Sequence, residues 1–136
     1  MSLKVRLRID LDDAHAVGPG KIALLERMRD CGSLSQAARE LDMSYRRAWQ
    51  LLDSLNTSFR EPVIVTSIGG KGGGGSEITP LGLELIEAYR ALEAQVTALA
   101  QRRFKPLRRR LAASMRPRLR VRSLARGKRA PGSKRP

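Results

Sequence analysis

From residue 3 the apolar side chains of Leu3, Val5, Leu7 and Ile9 alternate with Lys4, Arg6, Arg8 and Asp10. That two-residue period predicts a half-buried strand. Residues 12–20 have turn chemistry and end in Gly18-Pro19-Gly20. From about Lys21 the spacing becomes helical, with Ile22, Leu25 and Met28 on one face and Leu24 and Cys31 beside it. Gly32 stands where a helix-ending glycine is expected. Cys31 then reads as a small core residue on the inner edge of this helix rather than as a reactive thiol.

A second helix should start at once. Ser33 is a good N-cap with Gln36 three residues on, and Leu34, Ala37, Ala38 and Leu41 supply the buried face. After the short turn Asp42-Met43, Ser44 can cap a third helix running to about Ser58. Its inner side carries Ala48, Leu51, Leu52, Leu55 and Phe59. Arg46, Gln50, Asp53 and Thr57 fall opposite at about 100° per residue. Pro62 ends the helical stretch, and β-branched Val63-Ile64-Val65 reads as a strand. A glycine-rich run, residues 69–75, separates it from a second extended segment near Glu77-Ile78-Thr79, which predicts a hairpin. Thr79 then caps a fourth helix with Pro80 in its first turn. Leu85, Tyr89, Leu92, Val96 and Leu99 recur there at spacings of 4, 3, 4 and 3, a coiled-coil-like seam suited to dimerisation, although the same seam could be intramolecular core.

Three helices, a small β-hairpin and a long final helix make a mainly α fold with the layout of a winged helix-turn-helix. Small Ala37 and Ala38 let the second and third helices cross closely, while Ala48 and Leu51 lock the third on the second. The opposite face and first turn of the third helix are then left free to enter a major groove. The residues there are Ser44, Tyr45, Arg46, Arg47 and Gln50. Arginine can pair bidentately with guanine and glutamine with adenine, so these are side chains suited to base readout. Arg46 and Arg47 also oppose the helix dipole, a small cost that an ordinary solvated face has no reason to carry. Tyr45 is read either as a phosphate contact or as packing. Trp49 is read as packing between helix and hairpin rather than as a base-stacking group, and Asp53 limits how far along the helix a phosphate can approach.

Composition sharpens this picture. The 136 residues carry a formal charge of +14, but it is segregated. Residues 1–101 hold 12 basic and all 13 acidic side chains, whereas residues 102–136 hold 15 basic side chains and no acid. The chain is accordingly divided into an N-terminal strand and turn (1–17), a DNA-binding domain (18–101) and an Arg-rich tail (102–136). The tail is expected to be disordered when free and to add nonspecific affinity for phosphates. One cysteine and one histidine exclude an intrachain disulfide and multi-Cys or His-rich metal sites. No acid–base pair with plausible geometry can be assembled, so neither an enzyme nor a cofactor is expected. The run Gly70-Lys71-Gly72-Gly73-Gly74-Gly75 formally fits G-x-G-x-x-G, yet extended chain intervenes before the next helix, where a dinucleotide site would open one directly. A wing tip is the better reading, with Lys71, Gly72 and Gly73 approaching a phosphate closely. No apolar run is long enough for a membrane span, nor is a signal peptide recognisable. A cytoplasmic location is expected.

The stretch GPGKIALLERMRDCGSLSQAARELDMSYRRAWQLLDSLN, followed by EPVIV and GGKGGGGSEITPLG, resembles the N-terminal DNA-binding domain of the molybdate-dependent ModE regulators, a relative of LysR-type winged helices. The resemblance spans roughly Gly18 to Gln101, and MSYRRAW, GGKGGGG and TPLG are its most specific parts. It implies a dimeric DNA-binding protein in which Ser44 to Gln50 open the recognition helix and Lys71 to Gly75 lie in the wing. Asp42 stands where helix-turn-helix turns commonly carry glycine. The family's molybdate-binding domains are small and β-rich, whereas the chain after the fourth helix is Arg-rich and β-poor, so no molybdate pocket is expected in this chain. The reading is therefore a homodimeric, sequence-specific binder of double-stranded DNA. Its rivals are a nonspecific nucleic-acid-binding architectural protein driven by the tail, and an interaction module pairing with a separate sensor.

Overall fold

In the structure, a computed structural model describing residues 3–67 and 75–112, helices start and stop where side-chain chemistry directs. Residues 1–102 form one unit and residues 103–136 a second. Two short strands, β1 (Ile9–Asp10) and β2 (Ala16–Val17), precede α1 (Pro19–Cys31), α2 (Leu34–Glu40) and α3 (Tyr45–Ser58). The hairpin β3 (Ile64–Ser67) and β4 (Gly75–Ile78) leads into α4 (Pro80–Arg108). Ser33 Oγ accepts from Gln36 N at 3.2 Å, Ser44 Oγ from Arg47 N at 3.0 Å and Thr79 Oγ1 from Gly82 N at 3.1 Å. Each hydroxyl takes up one backbone donor that the first helical turn leaves free. The Gln36 side-chain amide donates forward to Glu40 at 3.0 Å.

The arrangement is the expected mainly α fold, three helices followed by a hairpin and a long helix. Its core joins Leu24, Leu25 and Met28 of α1 to Ala37 and Ala38 of α2. Ala48, Leu52 and Leu55 of α3, Val63 and Ile64 at the hairpin base and Ile86 of α4 complete it. Gly32 ends α1 in the left-handed conformation, φ 68°, and its carbonyl accepts from Ser76 N at 3.0 Å. The turn between α1 and α2 is thereby tied to β4.

The α2–α3 turn is strained where the sequence departs from the usual glycine. Asp42 adopts φ 59°, alone among the described non-glycine residues in having a positive φ. An L side chain in that region costs about 1–2 kcal/mol, aspartate less than most. Asp42→Gly should therefore leave stability unchanged or raise it by up to about 0.5 kcal/mol, and Asp42→Val should lower it by roughly 1–2 kcal/mol. Chemical denaturation checks this, and equal midpoints for the two variants would show that the turn is not strained.

Two expectations are corrected. The alternation over residues 3–9 is present as burial, Leu3, Val5, Leu7 and Ile9 being half-buried and their neighbours exposed, but only Ile9–Asp10 is strand. Its partner holds two residues before α1 begins at Pro19, so the ladder cannot lengthen. Residues 3–8 lie against α4 instead, where the Tyr89 hydroxyl donates to Leu7 O at 2.8 Å. Tyr89 is thus in the chain's own second core, with Val17 and Ile22, at 2 % exposure. Burial pushes the Tyr89 phenol up, away from ionisation, so it stays a donor. Leu85 packs against both cores. Tyr89 is therefore taken up within the chain, and Leu85 partly so. The fourth helix, α4, runs on through Pro106 to Arg108. Pro106 lies inside the helix and has no N–H to give to the carbonyl four residues earlier, so the last turn is held by one backbone bond fewer. Most of the predicted tail, residues 113–136, lies outside the described residues.

One charge cluster joins α1 to α4. Arg90 donates to both Glu26 carboxylate oxygens, at 2.7 and 2.9 Å, and to Glu93 at 2.6 Å. The hydrogen bond from Arg90 is the main reason that Glu26 is held below the usual carboxylate range, against the opposing effect of its burial.

Candidate nucleic-acid interface

The segment from Ser44 to Gln50 stands at the start of a helix whose inner face is locked. Ala48 and Leu55 are fully buried and Leu52 nearly so, which turns the remaining face of α3 outward. Ser44, Tyr45, Arg46, Arg47 and Gln50 are all exposed. Among the described residues neither the Arg46 nor the Arg47 guanidinium makes a hydrogen bond or an ion pair. Ser44 Oγ, engaged as an acceptor from Arg47 N, keeps its own proton to donate. Asp53 and Thr57 continue the outer face one and two turns further on, as their spacing predicts.

The two shoulders of α3 differ. On one, Arg47 shares a cleft with Arg8, Lys21 and the Gly18-Pro19-Gly20 start of α1. Lys21 donates to Ala16 O at 2.7 Å and to Ser54 Oγ at 2.9 Å. Burial first, and then the nearby charges of Arg8 and Arg47, push its ammonium down. The other shoulder carries Tyr45 and Trp49. Here the reading of Trp49 as packing is overturned, since its side chain is 52 % exposed. The position on the helix accounts for this: Trp49 lies at the edge of the buried arc, and that arc is filled by Leu52 and Leu55 without it.

The hairpin is placed by a residue that the sequence reading passed over. Asn56 Oδ1 accepts from Val63 N at 2.8 Å and Ile64 N at 3.2 Å, while its Nδ2 donates to Ile64 O at 3.2 Å. This amide fastens the last turn of α3 to the base of β3. Its only sequence signal is a polar residue between Leu55 and the strand, on the rim of the buried arc. The last described residue of β3, Ser67, and the first of β4, Gly75, are paired in register. Lys71, Gly72 and Gly73 lie outside the described residues.

The fourth-helix seam divides. Leu85 and Tyr89 serve the chain's own cores, whereas Leu92 (39 %) and Leu99 (40 %) are exposed and Val96 is half-buried. An apolar hollow next to this strip is lined by Leu11, Val17, Ala88 and Leu92, among others. Among the described residues no helix is long and apolar enough to cross a membrane. Nor do any three His, Cys, Asp or Glu side chains there come together to hold a metal ion.

Comparison with known proteins points one way. The chain is 35% identical over 97 residues to the molybdenum transport protein ModE of Azotobacter vinelandii, covering 71% of this chain and 36% of that protein. It is 43% identical over 83 residues to the molybdenum-pterin-binding protein MopB of Rhodobacter capsulatus, covering 61% of this chain and 31% of the relative. With the DNA-binding transcriptional dual regulator ModE of Escherichia coli K12 it shares 33% identity over 89 residues, 65% of this chain and 34% of that one. The matched part amounts to about a third of the length of these curated relatives. No protein-family model matches.

Proposed function

We propose, for a chain that carries the N-terminal domain of the ModE family, that it is a sequence-specific regulator of transcription acting on double-stranded DNA. In this reading α3 enters the major groove. Arg46 and Gln50 approach base edges, while Ser44, Tyr45 and Arg47 hold the flanking phosphates. Lys71, Gly72 and Gly73 meet the backbone beyond, and the basic residues after Gln101 add affinity without choosing sequence. A homodimer, formed through Leu92, Val96 and Leu99 of α4, would present two such helices to half-sites about 34 Å apart. No resident cofactor takes part, and the protein acts by binding rather than by catalysis, in the cytoplasm.

The observation that carries this reading is the pair of outward guanidinium groups, without a partner among the described residues, on a helix whose inner face is buried. Such a side chain, placed beside an amide at the start of a helix after a tight turn, is poised for an external anionic partner. Selection of bound duplexes from random DNA by the full chain, with and without molybdate, tests it. A defined site should be enriched, and Arg46→Ala should relax preference at one base pair, losing about 1–3 kcal/mol there. Bulk DNA competing as well as the selected site would refute the reading and favour an architectural protein.

A further inference from the structure

The exposed aromatic shoulder of α3 has more surface than this function uses: a phosphate needs only the Tyr45 hydroxyl, which leaves the Tyr45 ring and all of Trp49 without a role. Tyr45 is 57 % and Trp49 52 % exposed. They sit four residues apart on one helix, so their side chains lie one above the other along its flank. The chain has five aromatics in all. Leaving its one tryptophan half in solvent forgoes burial that a small core could use.

The surroundings narrow the partner. Tyr45 and Trp49 share a cleft with Arg46 and Gln50, the two side chains proposed to face base edges. On their other side a second cleft runs past the hydroxyls of Ser33, Ser35, Thr66 and Ser76. An apolar strip thus lies between groups suited to bases and groups suited to sugar and phosphate. In an intact duplex the base faces are stacked and out of reach. The apolar group that base pairs offer to the major groove is the thymine 5-methyl.

We propose that Tyr45 and Trp49 form a shelf that reads thymine by its methyl group, adding a specificity contact beside Arg46 and Gln50. The inference rests on the DNA-binding reading, and its test separates the two. In the duplex selected by the full chain, each thymidine is replaced in turn by deoxyuridine, which removes only the methyl. At one or two adjacent positions per half-site affinity should fall about fourfold, the worth of one buried methyl. The loss should vanish in Trp49→Gln and shrink in Tyr45→Ser, both substitutions at exposed positions, while Arg46→Ala retains it. Deoxyuridine tolerated at every position of a site that is still bound specifically would overturn the shelf and leave the regulator intact. A methyl penalty of the same size in both aromatic variants would also overturn it. Failure to select any site would instead remove the DNA-binding reading, and the shelf with it.

Discussion

Gly82→Ala is expected to lower stability by about 3 kcal/mol, the largest effect of an added methyl at any of the described glycines. Gly82 is the last residue of the TPLG motif and stands in the first turn of α4. A Cβ there would lie 2.5 Å from the Val63 carbonyl oxygen and 2.6 Å from Ile78 Cγ1. The nearest atom is backbone, so it cannot swing aside as a side-chain tip would. The same carbonyl accepts from Thr79 N at 3.0 Å, and Thr79 Oγ1 donates to Pro62 O at 2.8 Å. Separating the chains to admit the methyl breaks the contacts that hold the start of α4 on β3. The gain in helix propensity, about 1 kcal/mol, offsets only part of this. Gly20 is the control. Its added Cβ would meet nothing closer than Leu51 Cδ1 at 4.0 Å, so Gly20→Ala should leave stability unchanged or raise it by up to about 0.5 kcal/mol. Thermal melts of the two variants should differ in sign, with the Gly82 midpoint lower by roughly 10–20 °C. A Gly82→Ala protein as stable as the parent would show that the approach of α4 to β3 is looser than described.

Removing residues 113–136 should change binding more than any point substitution, yet leave the preferred site the same. That segment holds nine of the 15 basic side chains after Gln101, and α4 ends before it. Each phosphate neutralised contributes about 0.9 to the slope of log K against log salt. With about half of the nine in contact, the slope becomes shallower by roughly 4. Between about 50 and 200 mM salt the full chain then loses roughly 250-fold more affinity than the shortened one. Titrations over that range, with the selected site and with a scrambled duplex, check both parts. Equal slopes would mean that the segment stays off the DNA. A changed site preference would mean that sequence choice is shared between the segment and α3.

What the sequence discloses about this fold is mainly its punctuation. As helix caps, Ser33, Ser44, Thr79 and Gly32 bond to neighbours a few residues away, and Pro80 acts through its own fixed φ, so these roles are legible locally, and the observed helix ends agree. The outward face of α3 was equally accessible to reasoning, because a 100° period and a buried arc determine which residues remain. Properties set by distant partners were not. The 4-3 spacing of α4 cannot say whether Tyr89 meets a second copy or Leu7, 82 residues earlier. The alternation at residues 3–9 reports which side is buried, but burial against a helix looks the same as burial in a sheet. Asn56 carries no local signature, since its value lies in two backbone groups across the Pro62 turn. Trp49 was misjudged because size and apolarity suggest burial, while the arc it borders was already full.

The Asn56 bracket has a mechanical consequence. With one amide spanning the foot of α3 and the hairpin base, the two prongs cannot splay independently of each other. On the proposed reading they work as a fixed caliper, sensitive to the span from groove floor to the neighbouring backbone ridge. A duplex of the right letters but the wrong girth, narrowed by a stiff adenine tract for example, would then be turned away at positions that no side chain touches.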